Sequence, residues 1–365
     1  MAHINLNVDK QNDSAVIVGG SLSGLMTAIA LSAQGIHVRV LEKSKEGERS
    51  GATLKVDGYS MGQYKLEEKL KRLTSGGKSD VQLWSSIESR LRENAHNDPN
   101  IQLHYNTRVI SVDQNEESAW AETIDGHLFR ASILIGADGH RSLVRKKVAP
   151  DHPDAEFAGY VVWMASILES ELPSNLVFPR GEQVKIFNDE NGFLFGSVID
   201  IENEPSRIGC TWYDNTQTEL LYRLGAVIGK FVHHSIQGTD IPEKDIQILG
   251  DQAKTHWPEP WRTATLHAIY SGEFIGVPIK EYVPIKLTHG RLALVGDAAH
   301  VPSPITTSGF NDSLIDAVVL GECLPEGLQA SKAILGLKKY ESLRLKKMQD
   351  MVESGRLFSK NFGKY

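Results

Sequence analysis

A glycine- and serine-rich turn near the start of the chain has the residue types needed to bind a dinucleotide. Residues Gly19 to Gly24 read Gly-Gly-Ser-Leu-Ser-Gly after a run of valine and isoleucine, and Glu42 ends the next apolar run. In the dinucleotide fingerprint, glycines allow the backbone to approach pyrophosphate, and an acid binds a ribose hydroxyl. Ser21 occupies the second glycine position, so the match is imperfect. Its place between a strand and a helix favours nucleotide binding over an ordinary tight turn.

A second motif places an aspartate directly after an apolar run. Residues Ile133 to Gly139 read Ile-Leu-Ile-Gly-Ala-Asp-Gly, and Arg141, Ser142 and Arg145 follow them. A strand that ends in an Asp-Gly turn occurs in many proteins. This motif alone therefore does not identify a function.

A third motif carries another aspartate. Residues Gly290 to His300 read Gly-Arg-Leu-Ala-Leu-Val-Gly-Asp-Ala-Ala-His, and a helix pattern begins near Gly309. A buried strand that delivers Asp297 to such a loop can hold sugar hydroxyls, and the helix N-terminus can face a delocalised anion. The alternative role for Asp297 is that of a loop cap.

The elements that must position these motifs follow from the hydrophobic pattern. Ser14 to Gly20 reads as a strand, Leu22 to Gln34 as an amphipathic helix ended by Gly35, and Ile36 to Leu41 as a second strand. A strand, helix and strand in this order favour a right-handed parallel crossover. We therefore predict an α/β fold with a doubly wound, Rossmann-like sheet.

Further elements are predicted before the middle of the chain. Trp84 to Asn94 has a helix pattern, and Ile101 to Val112 is strand material. Ala119 to Ile135 is interpreted as a hairpin that turns at Asp125 and Gly126.

The middle of the chain has a different pattern of residue types. From about Phe157 to Ile285, short aromatic and β-branched runs predict a mainly β insertion with one helix from Thr218 to His234. After it we predict a strand at Leu292 to Val295, a helix at Gly309 to Leu324, and one or two helices between Ala330 and Phe358. The nucleotide-binding domain is then discontinuous, at 1–156 and 286–365, around a substrate domain at 157–285.

Composition excludes several classes of protein. The chain has 39 basic and 46 acidic residues and a net charge of −7, so it has no general attraction to nucleic acid or anionic membranes. Two cysteines, Cys210 and Cys323, cannot form a disulfide framework, which fits a reducing compartment. The polar first residues and the lack of a long apolar run predict a cytoplasmic protein without a membrane span. No metal site is predicted, because no histidine pair has ligand spacing.

The three motifs, in this order between about residues 14 and 355, resemble the flavoprotein aromatic hydroxylases, the single-component FAD monooxygenases of the para-hydroxybenzoate hydroxylase type. Ala158 to Trp163 and the first turn are most similar to the 2,6-dihydroxypyridine hydroxylase branch. The resemblance implies that the first motif binds the ADP part of FAD, the second lies near pyrophosphate, and the third holds ribityl. It assigns FAD to Gly19, Gly20, Ser21, Leu22, Ser23, Gly24, Glu42, Lys43, Arg49, Val109, Asp138, Asp297, Pro304, Gly309 and Asn311.

The resemblance also implies an activity. NADH or NADPH reduces FAD, dioxygen adds to give a flavin C4a-hydroperoxide, and one oxygen atom passes to an aromatic or N-heteroaromatic small molecule. Two alternatives remain open: a flavin-dependent dehydrogenase or reductase without oxygen insertion, and a non-catalytic FAD-binding module. We expect a monomer or a homodimer.

The substrate site is inferred from the middle segment. Relatives place its sheet as a roof over the flavin, and side chains alternate between the two faces along Tyr160 to Ile167. The substrate-binding candidates are Trp163, Leu194, Trp212 and Tyr213. Two departures from the family matter: Thr306-Thr307-Ser308 stands where relatives often carry glycine, and Ile199 lies near the place of a carboxylate-binding arginine. The latter argues against a benzoate-like substrate.

Overall fold

The structure, a computed structural model, describes residues 13–46, 53–56, 65–76, 80–180, 184–189, 192–200, 205–325 and 327–363. The chain divides into two compact units. The first comprises Met1–Ala155 and Tyr282–Gly355, and the second comprises Glu156–Glu281 and Arg356–Tyr365. The sequence-based boundaries lie at 157 and 285 instead, and they leave Arg356–Tyr365 in the nucleotide-binding domain.

The first segment of the first unit begins with alternating strands and helices. Its elements are β1 (Ser14–Val18), α1 (Leu22–Ser32), β2 (His37–Leu41), β3 (Thr53–Val56), α2 (Lys65–Ser75), β4 (Asp80–Leu83), α3 (Trp84–His96), β5 (Ile101–His104), β6 (Val109–Gln114), β7 (Ala119–Thr123), β8 (Leu128–Ala131), β9 (Ile133–Gly136) and α4 (Leu143–Val148).

Strands dominate the middle of the chain, and helices dominate its last part. The middle segment contains β10 (Glu156–Leu168), β11 (Lys185–Asn188), β12 (Gly192–Ile199), β13 (Arg207–Asp214), α5 (Thr218–Arg223), β14 (Val227–Ile228), β15 (Phe231–Val232), β16 (Ile236–Gln237), α6 (Glu243–His256), α7 (Trp261–Ser271) and β17 (Phe274–Glu281). It is followed by β18 (Thr288–His289), β19 (Leu292–Leu294), α8 (Gly309–Glu322) and α9 (Ala330–Phe362).

A six-stranded sheet organises the first unit in the order β18-β19-β9-β1-β2-β5. Strand β1 pairs in parallel with β2 and β9, and β9 pairs in parallel with β19. Gly136 is the register partner of both Val18 and Leu294. The carboxyl ends of these three strands therefore meet at one edge of the sheet, which is where doubly wound folds bind ligands.

Helix α1 packs between this sheet and other helices. It contacts α8 and α3, and its side chains Leu25, Met26 and Ile29 are fully buried. Burial around the helix explains why its apolar residues are not limited to one stripe. The crossover that begins at the first motif is thus anchored by the core of the unit.

Helices α6 and α7 cover one face of the large β-sheet of the second unit. The alternation expected along β10 is observed: Val161 and Trp163 belong to the core that also contains Leu249 of α6 and Trp261 of α7. Neighbouring β12 and β13 add Leu194 and Trp212 to the same core.

The opposite face of this sheet carries an aromatic cluster, which consists of Tyr160, Phe193, Tyr213, Phe358 and Phe362. The rings of Tyr160 and Tyr213 stack with centroids 6.0 Å apart. Phe358 and Phe362 come from the end of α9, and the Phe362 ring lies 4.8 Å from that of Phe193. This end of α9 therefore belongs to the second unit.

Two sequence-based predictions of elements are wrong. The helix predicted from Thr218 to His234 ends at Arg223, because Gly225 and Gly229 adopt left-handed conformations (φ 69° and 56°) and the chain then forms the paired strands β14 and β15. The hairpin predicted to reach Ile135 ends with β8, whereas β9 joins the main sheet. Helices α6 and α7 were not predicted.

Within the described residues, no helix is both long enough and apolar enough to cross a membrane.

Candidate cofactor site

The turn between β1 and α1 is closed too tightly for side chains at two positions. Gly19 has a φ of 104°, and a Cβ there would lie 2.3 Å from the Ala137 carbonyl oxygen. A Cβ at Gly24 would lie 2.0 Å from the Gly19 carbonyl oxygen. Ser21 precedes the helix, and its hydroxyl makes no capping hydrogen bond. The first backbone N–H groups of α1 are thus approachable, as binding of pyrophosphate requires.

Glu42 lies beside this turn and is only 4% exposed. Its Oε2 accepts a hydrogen bond from Gly20 N (2.8 Å), and its Oε1 accepts one from Ser44 N (2.8 Å). These two bonds orient the Glu42 carboxylate beside the turn, and carboxylate oxygens are acceptors for ribose hydroxyls. Lys43 is exposed beside it, and Val109 is half-buried at the start of β6. Arg49 lies outside the described residues.

The structure brings all three motifs to the first turn. Gly19 packs against the backbone of Ala137 and Asp138 from the second motif. Gly296 of the third motif has a φ of 57°, and a Cβ there would lie 2.7 Å from Ser23 Cβ. Motifs far apart in sequence therefore form one continuous surface at the carboxyl edge of the sheet.

Asp138 organises the start of α4. Its Oδ1 accepts a hydrogen bond from the Ser142 hydroxyl (2.5 Å), and its Oδ2 accepts one from Leu143 N (2.6 Å). Desolvation raises the pKa of Asp138 above its usual value, although these hydrogen bonds oppose the shift. The contacts of this carboxylate are those of a loop and helix cap, and its assignment to FAD stays a prediction.

Arg145 joins the second and third motifs, a role that sequence reasoning missed. The side chain is fully buried and donates hydrogen bonds to four carbonyl oxygens, those of His140, Pro153, Asp297 and Ala298. Its guanidinium also lies 4.2 Å from the centre of the Tyr282 ring. The sequence shows an arginine soon after the Asp-Gly turn, but no local sequence pattern indicates that its hydrogen-bond partners lie so far away along the chain.

The third motif presents its aspartate to the surface. Gly296–Ala298 forms a single turn of 3₁₀ helix in which Gly296 and Ala298 are buried while Asp297 is exposed. The predicted strand before this turn is β19. An exposed carboxylate on a buried turn can accept hydrogen bonds from sugar hydroxyls.

The segment before α8 keeps a glycine-like backbone although it lacks the family's glycine. Thr307 has a φ of 52°, in the left-handed region that a β-branched residue seldom adopts. Ser308 precedes α8 as its N-cap residue, and its side chain makes no capping hydrogen bond. Gly309 and Asn311 are half-buried in the first turn of α8, and Pro304 is exposed. The N-terminal N–H groups of this helix can therefore face an anion.

The four substrate candidates do not form one surface. Trp163, Leu194 and Trp212 lie in the core under α6 and α7, and Trp163 Nε1 donates a hydrogen bond to Asp214 Oδ2 (3.1 Å). The cavity next to the tryptophans holds about 20 Å³, too little for an aromatic ring. Tyr213 lies on the opposite face, in the aromatic cluster. This packing gives the three core residues a structural role, so only Tyr213 is carried into the proposed substrate site.

One group of possible metal ligands lies outside these motifs. Within the described part of the chain, Glu171, His267 and Glu273 bring three ligand atoms within 4.8 Å of one another. Both glutamates are exposed. Exposed acidic groups often cluster without an ion, so no metal is assigned to them.

The cofactor site fits a flavin dinucleotide. Gly19 and Gly24 allow the tight turn that presents backbone N–H groups to pyrophosphate. Glu42 is oriented beside this turn, and Asp297 is exposed on the turn of the third motif. The sequence profile of a family described as "FAD binding domain" matches residues 13–65 and 49–354. The chain belongs to this family, and the predicted Rossmann-like, discontinuous fold is confirmed.

Individual relatives agree with this class. The chain is 26% identical to the 2,6-dihydroxypyridine 3-monooxygenase of Paenarthrobacter nicotinovorans, over 85% of this chain and 82% of that protein. It is 25% identical to the 3-hydroxybenzoate 6-hydroxylase of Klebsiella oxytoca, over 94% and 87%. The crystal structure of CtdE in complex with FAD superposes with a TM-score of 0.74 at 18% identity, covering 96% and 94%. The resemblance to flavoprotein aromatic hydroxylases is confirmed, and the chain is an oxidoreductase of the FAD-dependent monooxygenase type.

Proposed function

We propose that this protein hydroxylates an aromatic or N-heteroaromatic small molecule, with FAD as cofactor, NADH or NADPH as electron donor, and dioxygen as the source of oxygen. The convergence of the three motifs at the carboxyl ends of β1, β9 and β19 carries the proposal. Membership of the FAD-binding family supports the cofactor, and the named relatives support the reaction type.

Different residues of the chain would hold different parts of FAD. Backbone N–H groups of Gly19 to Gly24 donate hydrogen bonds to pyrophosphate. Glu42 accepts a hydrogen bond from a ribose hydroxyl, and Asp297 accepts hydrogen bonds from ribityl hydroxyls. The first turn of α8, at Gly309 and Asn311, directs N–H groups at the electron-rich part of the ring. When bound, FAD supplies hydride acceptance and the activation of dioxygen.

The substrate is proposed to be a planar ring without a carboxylate anchor. Tyr213 belongs to an aromatic cluster, and aromatic side chains hold planar rings by stacked and edge contacts. Ile199, at the end of β12, offers no positive charge to a carboxylate. These features favour a pyridine-like substrate over a benzoate, and the name of the related 2,6-dihydroxypyridine 3-monooxygenase refers to a substrate of that kind.

The cofactor is tested on the purified protein. We expect a yellow protein whose flavin is released into the supernatant by acid precipitation, because the residues proposed to hold FAD would do so through hydrogen bonds. The released flavin should match FAD by chromatography. Colourless protein that binds no added FAD would contradict the proposal. If FAD binds but neither NADH nor NADPH reduces it, whichever heteroaromatic compound is added, the result would instead support a non-catalytic FAD-binding module. Reduction without oxygen transfer would support a dehydrogenase or reductase.

Substitutions at two adjacent residues test the substrate surface. Tyr213→Ala is expected to lower the amount of hydroxylated product per NAD(P)H consumed, because it removes a ring from the aromatic cluster. Trp212→Ala is the matched control on the other face, in the core, where loss of the ring should lower the free energy of unfolding by about 3–5 kcal/mol. The product ratio of Trp212→Ala should stay near the wild-type value. Equal effects on the ratio would count against Tyr213.

A further inference from the structure

Three charged or titratable side chains with almost no exposure lie next to the turn that presents Asp297. They are His300, Asp316 of α8 and Arg344 of α9, exposed by 0%, 0% and 3%. Buried charges are costly unless they are paired and hydrogen-bonded. The three side chains form a buried hydrogen-bonded network.

Asp316 holds both ends of the turn. Its Oδ2 accepts one hydrogen bond from Gly296 N (3.1 Å) and another from His300 Nε2 (2.8 Å). Gly296 precedes Asp297, and His300 follows it. Asp316 Oδ2 thus holds the backbone N–H of Gly296, before Asp297, and the side chain of His300, after Asp297.

Arg344 extends the network to the start of α8. Its Nε donates to Asp316 Oδ1 (2.8 Å), and its Nη2 lies 3.2 Å from Asp312 Oδ1. Asp312 is in the first turn of α8, next to Asn311. Arg344 therefore connects the carboxylate that holds the Asp297 turn with the first turn of α8.

The charges of these groups are balanced when His300 is protonated. Burial lowers the pKa of His300, but the Asp316 carboxylate and its hydrogen bond outweigh burial and raise this pKa above its usual value. His300 and Arg344 likewise overcome burial and lower the pKa of Asp316. Two carboxylates, of Asp312 and Asp316, then face two cations.

We propose that Asp316, together with His300 and Arg344, is a positioning site for FAD, which holds the Asp297 turn and the first turn of α8 in one fixed arrangement. This inference rests on the proposed function, in which these two elements receive ribityl and the electron-rich part of the flavin. None of the three side chains needs to touch FAD. Small displacements of groups that orient a ligand have large effects, so the network should control how FAD is held.

Asp316→Asn tests the inference. The amide is nearly isosteric, but its NH₂ group must face either Arg344 or the donors Gly296 N and His300 Nε2, so one side of the network is lost. We expect the Kd for FAD to rise by about tenfold or more, since hydrogen bonds to charged groups are among the stronger ones. We also expect a changed visible circular dichroism spectrum and midpoint potential of the bound flavin. These two properties report the flavin's surroundings.

A matched control lies three residues earlier on α9 than Arg344. Glu341 Oε2 accepts hydrogen bonds from Leu287 N (2.6 Å) and Thr288 N (2.7 Å), which hold the chain before β19. Glu341→Gln weakens a comparable clamp in the same unit, so it should lower stability and leave the Kd for FAD, the spectrum and the potential unchanged. Similar changes in these flavin properties for Asp316→Asn and Glu341→Gln would overturn the inference.

His300→Gln separates positioning from folding. Glutamine retains an N–H donor for Asp316 but no charge, so this variant should bind FAD more weakly than the wild type and more tightly than Asp316→Asn. If Asp316→Asn does not fold, His300→Gln carries the test, and wild-type Kd, spectrum and potential in it would overturn the inference. Failure of the wild-type protein to bind FAD would refute the proposed function itself, so the two failures are distinguishable.

Discussion

Gly24→Ala is expected to abolish detectable FAD binding. A methyl group at this position would lie 2.0 Å from the Gly19 carbonyl oxygen, so the turn between β1 and α1 has to open. The obstacle is backbone and cannot rotate away as a flexible side chain would. The same turn is proposed to receive pyrophosphate, so its distortion should remove the N–H groups from their positions. Equilibrium dialysis or flavin fluorescence measures the loss.

Gly321→Ala is the control for a methyl group added to the same core. A Cβ at Gly321 would lie 3.0 Å from Leu66 Cδ1 and 3.1 Å from the Ala30 carbonyl oxygen, far from the turn. It should lower the melting temperature and keep the Kd for FAD. If Gly24→Ala retained wild-type affinity, the first motif would not be the pyrophosphate site.

Arg145→Met is expected to lower the free energy of unfolding by several kcal/mol, because each buried carbonyl group left without a donor costs about 1–3 kcal/mol. Methionine replaces part of the stem but none of the donors, so the carbonyl groups of Pro153, Asp297 and Ala298 lose their partner. Burial prevents water from replacing those bonds. Urea denaturation followed by far-ultraviolet circular dichroism measures the difference.

The control is Arg141→Met, four residues earlier. Arg141 is exposed, so its replacement should change stability by no more than about 0.5 kcal/mol. A loss at Arg145 as small as that at Arg141 would show that the link between the second and third motifs does not stabilise the fold.

Local patterns predicted the parts of the fold that depend on local physics. The strand, turn and helix from Ser14 onward follow from apolar periodicity and glycine placement, and the structure contains them as β1 and α1. The helix predicted from Thr218 failed because Gly225 and Gly229 were treated as helix residues, although each adopts a left-handed turn. Helices α6 and α7 were missed because the segment around them was interpreted as mainly β, with its single helix placed at Thr218 to His234.

The candidate site likewise contains some residues that local sequence patterns identified and others that they did not. Spacing indicated Glu42 and Asp297, because each follows a buried strand and the fold brings strand ends together. Arg145 and Arg344 could not be identified, since their partners are carbonyl groups and carboxylates distant in sequence. Alternation along β10 separated the two faces of the strand correctly, but the pattern does not say which face helices cover. Trp163 was therefore assigned to the substrate when it belongs to the core.

The aromatic cluster limits how this enzyme can be recombined with its relatives. Exchanging only the segment between Glu156 and Glu281 would separate Phe193 from Phe362, whose carbonyl oxygen also accepts a hydrogen bond from Asn215 Nδ2 (2.7 Å). A chimera built on that cut would pair a foreign sheet with the native end of α9. Two crossover points are thus insufficient. A third, near Gly355, lets the sheet and the phenylalanines that pack on it be inherited together.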